Sequence, residues 1–430
     1  MIYEKKLVTP VFKRRSITRK FSLFRDKTGA LLCHGLHFRE EDGALVTAEG
    51  TEMVAQLPVV LSKIYTTAGH SEKMYAYLIN NYLTEPFGRN LYRTLTPLNE
   101  LVCYRSETGE TVLLGVDDVG IYGLVGNSMT KIEGTPGGKC ACIAHERLLT
   151  AQGELVRWSQ PLNPENWTQS MHEAGYLRLP SRYGDIFGMI PFKESVYLFR
   201  ETGITALRMQ GDELAFCAEE IPCACGRIVP GSAKDCGDRI VFLSENGLYT
   251  FDGSRLKLMS GCGYSEIGAD QEIIAQSSRD KYYASVTLKS GEACIWVVEP
   301  EKERGHFIRV APNAIGVEKE FHYGIHANLY RLTDRGIIDG KACSLTTEPS
   351  LLGLSPQKRY LESIMLEGQG LFTVSVRTEK GAVRTVSGEA GTRLVFSAPV
   401  CGMMFSLNIE TLSGDAKLKS VTFDLREESA

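Results

Sequence analysis

The segment from Arg239 to Met259 decides the fold of this chain. It reads in order Arg239-Ile240-Val241-Phe242-Leu243, Ser244-Glu245-Asn246-Gly247, Leu248-Tyr249-Thr250-Phe251, Asp252-Gly253-Ser254 and Arg255-Leu256-Lys257-Leu258-Met259. Asn-Gly and Asp-Gly between runs of β-forming residues predict tight hairpins, because both central residues of the favoured turn need a positive φ. The segment therefore predicts an antiparallel meander of three strands within about twenty residues.

The same alternation of strands and turns recurs along the chain. A run from Ile186 to Phe192 is followed by a Lys193-Glu194 turn, and further runs and turns continue to Met209. The middle strands of such units carry an aromatic or apolar residue at Tyr75, Tyr122, Val156, Tyr197, Tyr249, Trp296 and Tyr330. Successive spacings between these positions are 47, 34, 41, 52, 47 and 34 residues.

A spacing of roughly 40 to 50 residues with three or four strands per unit is typical of β-propellers, since each blade is one sheet that buries its faces only against its neighbours. We therefore predict an all-β chain with a six- or seven-bladed β-propeller over residues 65–350. An array of unrelated β-sandwiches stays open as an alternative, because frequent turns alone would also produce such strands.

The sequence pattern changes after residue 351. Apolar residues there alternate with polar ones at Phe372, Val374, Val376, Phe405, Leu407, Ile409, Val421, Phe423 and Leu425. Such alternation predicts half-buried strands, and we expect a C-terminal β-sandwich over residues 351–430. The only amphipathic stretch with helical spacing lies near Glu52 to Lys63, and Pro58 interrupts it.

Residues 1–64 are expected to form an N-terminal arm with one strand pair. The paired strands would lie around Leu36 to Phe38 and around Leu45 to Thr47. Two interpretations stay open for this segment. It could close the propeller ring by pairing with the last blade, or it could remain an arm.

The bulk composition is that of an ordinary globular protein. Of 430 residues, 43% are apolar and 23% are charged. The net charge of -4 argues against general nucleic-acid binding, which needs clustered basic residues. We expect synthesis in the cytoplasm, because no signal peptide and no membrane span are recognisable. Twelve cysteines are too sparse for a disulfide scaffold, so free thiols are expected.

One local run departs from this balance. Between Lys5 and Lys20 the charged residues are all basic, namely Lys5, Lys6, Lys13, Arg14, Arg15, Arg19 and Lys20. A solvated arm or a subunit contact is the favoured interpretation, and a phosphate contact is the alternative. The candidate docking arm comprises Lys13, Arg14, Arg15, Arg19 and Lys20.

Residues that carry catalytic or metal chemistry occur without the spacing that such chemistry needs. Cys140-Ala141-Cys142 and Cys223-Ala224-Cys225 have one intervening residue, whereas zinc knuckles have two to four. His322 and His326 are four apart in a predicted strand or turn, where that spacing builds no helical metal pair. The carboxylates nearest to strand starts and hairpin glycines are Asp117, Asp118, Asp185, Asp238 and Asp252.

Aspartate is favoured at such positions for turn chemistry alone. The sequence also lacks a nucleophile elbow, a phosphate loop and a dinucleotide fingerprint. We therefore expect no enzymatic activity, no catalytic residues, no metal site and no cofactor.

Three stretches resemble the phage DNA-stabilisation and tail-nozzle family of β-propeller proteins. They are Arg157-Trp158-Ser159-Gln160-Pro161-Leu162-Asn163-Pro164-Glu165-Asn166-Trp167-Thr168, then Val196-Tyr197-Leu198-Phe199-Arg200-Glu201-Thr202-Gly203-Ile204, then the segment from Gly237 to Tyr249. The opening from Asp42 to Gly50 is also similar to the family's early segment. The resemblance spans roughly Phe38 to Tyr330, and its motifs are short.

The resemblance implies a virion structural protein of the head-to-tail neck or the tail nozzle, in a phage or a prophage. It implies partners among the other neck and tail proteins and a ring oligomer, for example a hexamer, around the DNA channel. We expect a monomer in solution that joins the virion during assembly, without sequence-specific nucleic-acid binding or membrane contact. The alternative function is a propeller module that binds a glycan or a protein ligand.

Overall fold

The computed structural model describes residues 13–23, 33–69, 73–88, 90–170, 173–209, 216–269, 273–338 and 340–429. These residues form forty β-strands and two short 3-10 helices, Ser181–Tyr183 and Tyr264–Glu266. Within this described part, no helix is long and apolar enough to cross a membrane. The chain divides into two compact units, Thr51–Gly305 with Val310–Leu332, and Met1–Gly50 with His306–Arg309 and Thr333–Ala430.

The strands before the first blade are β1 (Lys13–Ser22), β2 (Cys33–Leu36), β3 (Phe38–Glu41), β4 (Ala44–Thr47) and β5 (Thr51–Gln56). Those of the first two blades are β6 (Leu61–Thr66), β7 (Ala68–Gly69), β8 (Met74–Leu78), β9 (Tyr82–Thr84), β10 (Leu91–Arg93), β11 (Glu100–Arg105), β12 (Thr111–Val116), β13 (Ile121–Val125) and β14 (Ser128–Lys131). The next two blades contain β15 (Cys140–Ala144), β16 (Arg147–Gln152), β17 (Leu155–Trp158), β18 (Gly175–Arg178), β19 (Ile186–Phe192), β20 (Ser195–Arg200), β21 (Ile204–Arg208) and β22 (Cys217–Ile221).

The last three blades contain β23 (Lys234–Asp235), β24 (Ile240–Ser244), β25 (Gly247–Phe251), β26 (Leu256–Leu258), β27 (Ile274–Ser277), β28 (Tyr282–Thr287), β29 (Ala293–Glu299), β30 (Arg304–Ile308), β31 (Ala314–Val317), β32 (Phe321–Ile325) and β33 (Asn328–Leu332). The C-terminal strands are β34 (Cys343–Thr347), β35 (Arg359–Gln369), β36 (Leu371–Thr378), β37 (Val383–Glu389), β38 (Arg393–Gly402), β39 (Phe405–Thr411) and β40 (Lys417–Ser429).

The first unit is a seven-bladed β-propeller. Blades three to six are four-stranded sheets of consecutive strands, β15–β18, β19–β22, β23–β26 and β27–β30. Blade one (β6, β8, β9, β10) and blade two (β11–β14) are linked into one sheet by a short parallel pairing at Arg93 and Ser128 and by β7 beside β11. The innermost strand of each blade contacts that of the next, and β31 of blade seven contacts β6 of blade one, so the ring closes.

The N-terminal strand β5 closes the ring. It pairs antiparallel with β33 and becomes the outermost strand of blade seven, with Met53 opposite Tyr330. Of the two interpretations left open for the N-terminal segment, ring closure is correct for residues 51–56. The stretch with helical spacing near Glu52 is therefore part of a strand, because a partner strand supplies hydrogen bonds that the local pattern does not reveal.

Two glycines let blade seven pack directly on blade one. A Cβ added at Gly316 would overlap Ile64, and one added at Gly324 would overlap Leu61. Both apolar side chains are buried. The ring thus closes through side chains of β6 that rest against bare backbone of β31 and β32.

The predicted propeller is confirmed, and its seven blades lie within the predicted range. The seven marker residues lie in seven different blades. Val156, Tyr122, Tyr249, Trp296 and Tyr330 lie on third strands, but Tyr75 and Tyr197 lie on second strands. The predicted equivalence of Tyr197 with the other tyrosines is wrong, because similar hairpins join every pair of neighbouring strands and do not indicate which strand is innermost.

The second unit is a β-sandwich. Its six-stranded sheet has the order β3-β4-β40-β35-β38 with β1 also on β40, and its five-stranded sheet has the order β2-β34-β39-β36-β37. The alternating residues predicted to face a core do so, since Phe372, Val374, Phe405, Leu407 and Phe423 are at most 2% exposed. We call this unit the sandwich unit. Residues His306–Arg309 belong to it, although the first three of them also end strand β30 of blade six.

The expected boundaries at residues 1–64, 65–350 and 351–430 need correction. The propeller begins at residue 51 and ends at residue 332, and the sandwich unit is built from both parts of the chain that flank it. Strand β2 pairs with β34, and both β1 and β4 pair with β40. Alternation along a strand predicts its buried face but not its partner, so the sequence did not reveal these long-range pairings.

The expectation of an unpaired basic arm is also wrong for the described residues. Strand β1 pairs with β40 over its whole length, from Lys13 opposite Ser429 to Ser22 opposite Ser420. Ile17 and Phe21 pack on the sandwich core, and the Phe21 ring meets that of Phe423 edge to face at 5.8 Å. These two apolar residues anchor β1 on the sandwich core, although five of the ten residues of the strand are basic.

Candidate functional site

Antiparallel meanders bring two kinds of loop to the same end of each blade. The segment that enters the innermost strand and the hairpin between the second and third strands lie at that end, because successive strands reverse direction. We call this end of the propeller the entry face. Functional residues of a rigid scaffold are commonly carried by such loops.

A cavity of about 320 Å³ lies at the entry face between blades three, four and five. Its volume is at the lower end of the range that holds small ligands, roughly 300–1,000 Å³. The lining residues come from the segments that enter blades three, four and five and from two hairpins. They are Lys139, Gly153, Asp185, Ile186, Phe187, Glu201, Arg227, Ile228 and Pro230. We call this cavity the entry-face pocket.

Backbone hydrogen bonds between blades hold the pocket walls. The amide of Ile186 donates to the carbonyl of Gly153 at 2.9 Å, which ties the start of blade four to the hairpin of blade three. The amide of Ile228 donates to the carbonyl of Glu201 at 2.8 Å and ties the entry to blade five to the hairpin of blade four. The pocket therefore carries two basic and two acidic side chains on fixed backbone.

Arg200 is buried next to the pocket-lining Glu201. Its Nε donates to the carbonyl of Gly184 at 2.9 Å, and one terminal nitrogen donates to the same oxygen at 2.7 Å and to that of Pro180 at 2.5 Å. Its other terminal nitrogen has no hydrogen-bond partner within the described residues. Burial lowers the pKa of Arg200, while the charge of Asp185 acts in the opposite direction.

A second polar network extends from the pocket toward blade two. Lys139 Nζ lies 2.6 Å from Asp118 Oδ2, and Asn99 Nδ2 donates to Asp118 Oδ1 at 2.7 Å. Hydrogen bonds from Lys139 and Asn99 lower the pKa of Asp118. Asp118 is thus an ionised partner for Lys139, and it joins the pocket to the neighbouring hairpin.

Asp117 is occupied by turn chemistry. Its carboxylate accepts hydrogen bonds from the amides of Val119 and Gly120 and from the hydroxyls of Tyr122 and Thr96, at 2.7 to 2.9 Å. Burial alone would raise its pKa, but these hydrogen bonds outweigh burial and lower it. A carboxylate with four donors is a structural group and not a free general base.

Three charged residues on innermost strands interact inside the ring. They are Lys63 on β6, Glu100 on β11 and Lys234 on β23. Lys63 is exposed to solvent, but the surrounding inner strands partly desolvate it and lower its pKa, with Glu100 opposing and Lys234 reinforcing the effect. Burial raises the pKa of Glu100, and Lys234 and Lys63 oppose that rise. Lys63 Nζ also donates to the carbonyl of Asn99 at 2.9 Å.

A buried charge cluster lies in the sandwich unit. Glu49 Oε2 is 2.7 Å from His306 Nε2, and Glu49 Oε1 is 3.1 Å from Arg39. Burial alone would raise the pKa of Glu49, but His306 and Arg39 outweigh it and hold the pKa well below its usual range. Arg39 also contacts Glu41 at 3.1 Å, and Glu41 in turn pairs with Arg335 at 2.8 Å.

The residues considered from the sequence are placed as follows. Cys140 and Cys142 are both buried in the core between blades three and four. His322 lies on β32 and contacts the Phe87 ring, whereas His326 lies in the following hairpin. Asp238 pairs with Arg239, and Asp252 accepts backbone and hydroxyl hydrogen bonds that lower its pKa to about 2. Within the described residues, no group of three potential ligands could hold a metal ion.

The candidate docking residues keep part of their predicted character. Arg15 and Arg19 are exposed on β1, and Lys20 Nζ lies 2.7 Å from Glu367. The side chains of Lys13 and Arg14 lie outside the described residues. The sequence analysis named Asp185 but missed Lys139, Glu201 and Arg227 of the pocket. Lys139 directly precedes strand β15 and Glu201 lies in a hairpin, and these positions were the available signal. Arg227 lies in the link between β22 and β23, where the local sequence gave none.

The fold and site define a seven-bladed β-propeller with a polar entry-face pocket and a β-sandwich formed by flanking segments. No protein-family model matches the chain, and no curated protein matches it. Among solved structures, U3-55K is similar with 9% identity and a TM-score of 0.44, over 66% of this chain and 98% of that one. The Neurospora crassa Pan2 WD40 domain is similar with 12% identity and a TM-score of 0.41, over 69% and 97%. The Kluyveromyces lactis Hsv2 structure has 10% identity and a TM-score of 0.39, over 68% and 94%.

Proposed function

We propose that this protein is a non-enzymatic structural component of a phage or prophage virion, built into the head-to-tail neck or the tail as part of a ring around the DNA channel. Under this proposal the protein is made in the host cytoplasm as a monomer and joins a ring only in the virion. Its partners are other neck and tail proteins. The single observation that carries it is the Trp158 to Trp167 motif, which resembles the phage family.

In this fold the motif, residues 158–167, builds the first part of the connection from β17 to β18. Trp158 is buried in the core, and its ring meets that of Phe216 edge to face at 5.3 Å. Trp167 Nε1 donates to the carbonyl of Pro164 at 2.7 Å, and the ring packs on the core between blades two and three. Asn166 donates to the side chain of Gln160 at 2.9 Å. The motif therefore has a structural role in the propeller, which is consistent with a family of structural proteins.

The surface charges also support this proposal. A wall around passing DNA should not grip phosphates, and the net charge of -4 meets that condition. Basic charge is exposed at Arg15 and Arg19 on β1, whose second edge carries no strand within the described residues. A basic edge strand resists random pairing with other sheets and suits a partner with an acidic surface.

The test is the composition of particles released by the host after phage induction. Particles purified on a density gradient should contain this chain at a constant ratio to the portal protein, and labelled copies should lie at the neck or tail in electron micrographs. A chain that is abundant in the lysate but absent from purified particles would refute the proposal.

A second candidate function is a propeller module that binds a glycan or protein ligand, and the entry-face pocket favours it. Its two basic and two acidic side chains offer both donors and acceptors to a polar ligand. A glycan array with the intact protein should give hits that are lost in Glu201→Gln and Arg227→Ala and retained in Arg178→Ala, an exposed residue on the outer strand of blade three. Hits that persist in both pocket variants would remove this candidate.

A further inference from the structure

The tripeptide Cys-Ala-Cys occurs twice in this chain, in two different structural settings. Cys140 and Cys142 lie in strand β15, where residues two apart share a face and both thiols are buried in the core. Cys223 and Cys225 lie in the link between β22 and β23. The link is not held by a strand ladder, so its two thiols can approach one another.

The two thiols of the link are in direct contact. Cys223 Sγ lies 2.7 Å from Cys225 Sγ. A disulfide bond is about 2.05 Å long, so only a small approach separates the two sulfurs from bonding distance. Cys225 is buried and its carbonyl accepts a hydrogen bond from Ser244 Oγ at 2.7 Å, whereas Cys223 is only half-buried. One thiol is therefore anchored, and its neighbour can be reached from solvent.

We propose that Cys223 and Cys225 form a redox-active dithiol that closes reversibly into a disulfide on reaction with a low-molecular-weight disulfide such as glutathione disulfide. The Cys223 thiolate attacks one sulfur of that reagent, forms a mixed disulfide and releases one thiol. The Cys225 sulfur, losing its proton, then attacks Cys223 Sγ and releases the second thiol. The protein gives up two electrons and two protons, and the reagent becomes two thiols.

The electrostatics of the pair match these roles. The hydrogen bond with Cys225 lowers the pKa of Cys223 to about 7, and the same bond with burial raises the pKa of Cys225. Cys223 is thus the thiol that is ionised at neutral pH, and thiolates are the attacking species. In the other pair, burial raises the pKa of both Cys140 and Cys142.

The disulfide has a consequence for the entry-face pocket. The link continues through Gly226, whose φ is +77°, to Arg227 and Ile228, which line the pocket. The carbonyl of Arg227 accepts a hydrogen bond from the amide of Glu245 at 2.9 Å. Closure fixes the chain two residues before Arg227 and so restricts the positions from which its side chain can reach a ligand.

The test is mass spectrometry of the intact folded protein. Reduced protein is incubated with glutathione disulfide at neutral pH, denatured in an alkylating reagent, and digested with trypsin and a glutamyl endopeptidase. The peptide from Ile221 to Arg227 then contains Cys223 and Cys225 without Cys217. The peptide that carries Cys140 and Cys142 is the control within the same molecule.

We expect the 221–227 peptide to lose two hydrogen atoms and to take up no alkyl group, at a rate roughly ten-fold or more above that of the control pair. Dithiothreitol should restore two alkylation sites. In Cys225→Ser, glutathione should stay on Cys223 as a stable mixed disulfide. Equal oxidation of both Cys-Ala-Cys pairs, or a mixed disulfide that persists on Cys223 in the natural sequence, would overturn the proposal, and neither result depends on a variant that must fold.

Discussion

Replacing Glu49 with glutamine removes the negative charge at the centre of the buried cluster in the sandwich unit. The side chain of Glu49 is 8% exposed and contacts His306 and Arg39. Removal of one partner from a buried ion pair costs about 3–5 kcal/mol, because the remaining charge stays buried without compensation. Glutamine still accepts one hydrogen bond, so we expect a loss of about 3 kcal/mol, at the lower end of that range.

The matched control is Glu41→Gln. Glu41 contacts the same Arg39 and also Arg335, but its side chain is 37% exposed. An exposed ion pair contributes about 0–1 kcal/mol, so the control should change stability little. For a unit of about 150 residues, a loss of 3 kcal/mol lowers the Tm by roughly 6–12 °C.

The assay is differential scanning calorimetry at several pH values. All three tryptophans, Trp158, Trp167 and Trp296, lie in the propeller, so tryptophan fluorescence would not report on the sandwich unit. The pKa of Glu49 is lower in the folded state than its ordinary value of 4.5. Its stabilising contribution is therefore complete above pH 4.5 and is lost as the pH falls below that value.

The difference in Tm between the natural chain and Glu49→Gln should accordingly stay constant from about pH 6 down to about pH 4.5, and then shrink as the pH falls further toward about pH 3. Equal losses for Glu49→Gln and Glu41→Gln would show that burial does not set the strength of this cluster. A difference in Tm that is constant with pH would show that the loss comes from packing and not from the charge.

The remaining predictions concern the ring, the motif and the edge strand. Gly316→Val should destabilise the propeller by about 1–3 kcal/mol in urea denaturation followed by tryptophan fluorescence, because its side chain would press on Ile64; Gly123→Ala, whose added Cβ meets Ile132 at 3.5 Å, should be nearly neutral. Trp167→Ala should make the β17–β18 connection sensitive to limited proteolysis while the blade core stays intact, because the ring no longer packs on that core. A connection that stays resistant would contradict the structural role given to the motif. The double variant Arg15→Ser/Arg19→Ser should keep its Tm within about 1 °C of the natural chain, since surface charges contribute little to stability. It should enter particles less efficiently, because the proposed docking residues are gone. The control Arg377→Ser/Arg384→Ser changes two exposed residues of the five-stranded sheet and should not affect incorporation. Equal incorporation of the two double variants would refute docking through β1.

Much of the fold could be predicted from local pattern. Turn residues such as Asn246-Gly247 and the alternation around Phe372 to Val376 depend on neighbours in sequence, and both predicted the observed strands. What failed was the choice of distant partners. The strand β1 was expected to be a free arm, because nothing in its own basic sequence indicates that β40 lies beside it.

The candidate site was predicted less well, for a related reason. Asp117 was assigned correctly to turn chemistry, since its partners Val119 and Gly120 are adjacent in sequence. The pocket draws Lys139, Glu201 and Arg227 from three blades, and each of these residues is unremarkable in its local context. The two Cys-Ala-Cys motifs make the same point, because an identical tripeptide is buried in the core in a strand and forms a thiol contact in a link.

The closure of blade seven by β5 has a consequence for biosynthesis. Glu52 pairs with Arg331 across 279 positions of the chain, and in the sandwich unit Thr18 reaches Asp424 across 406. A ribosome therefore releases β1, β2 and β5 long before their partner strands β40, β34 and β33 exist, and the edges of these three strands stay open while the blades are being made. Non-local pairing of this kind slows folding and exposes strand edges to other chains. Productive folding in the cell thus depends on keeping the segment up to the end of β5 unaggregated until the last strands emerge, which is the kind of task that holdase chaperones perform.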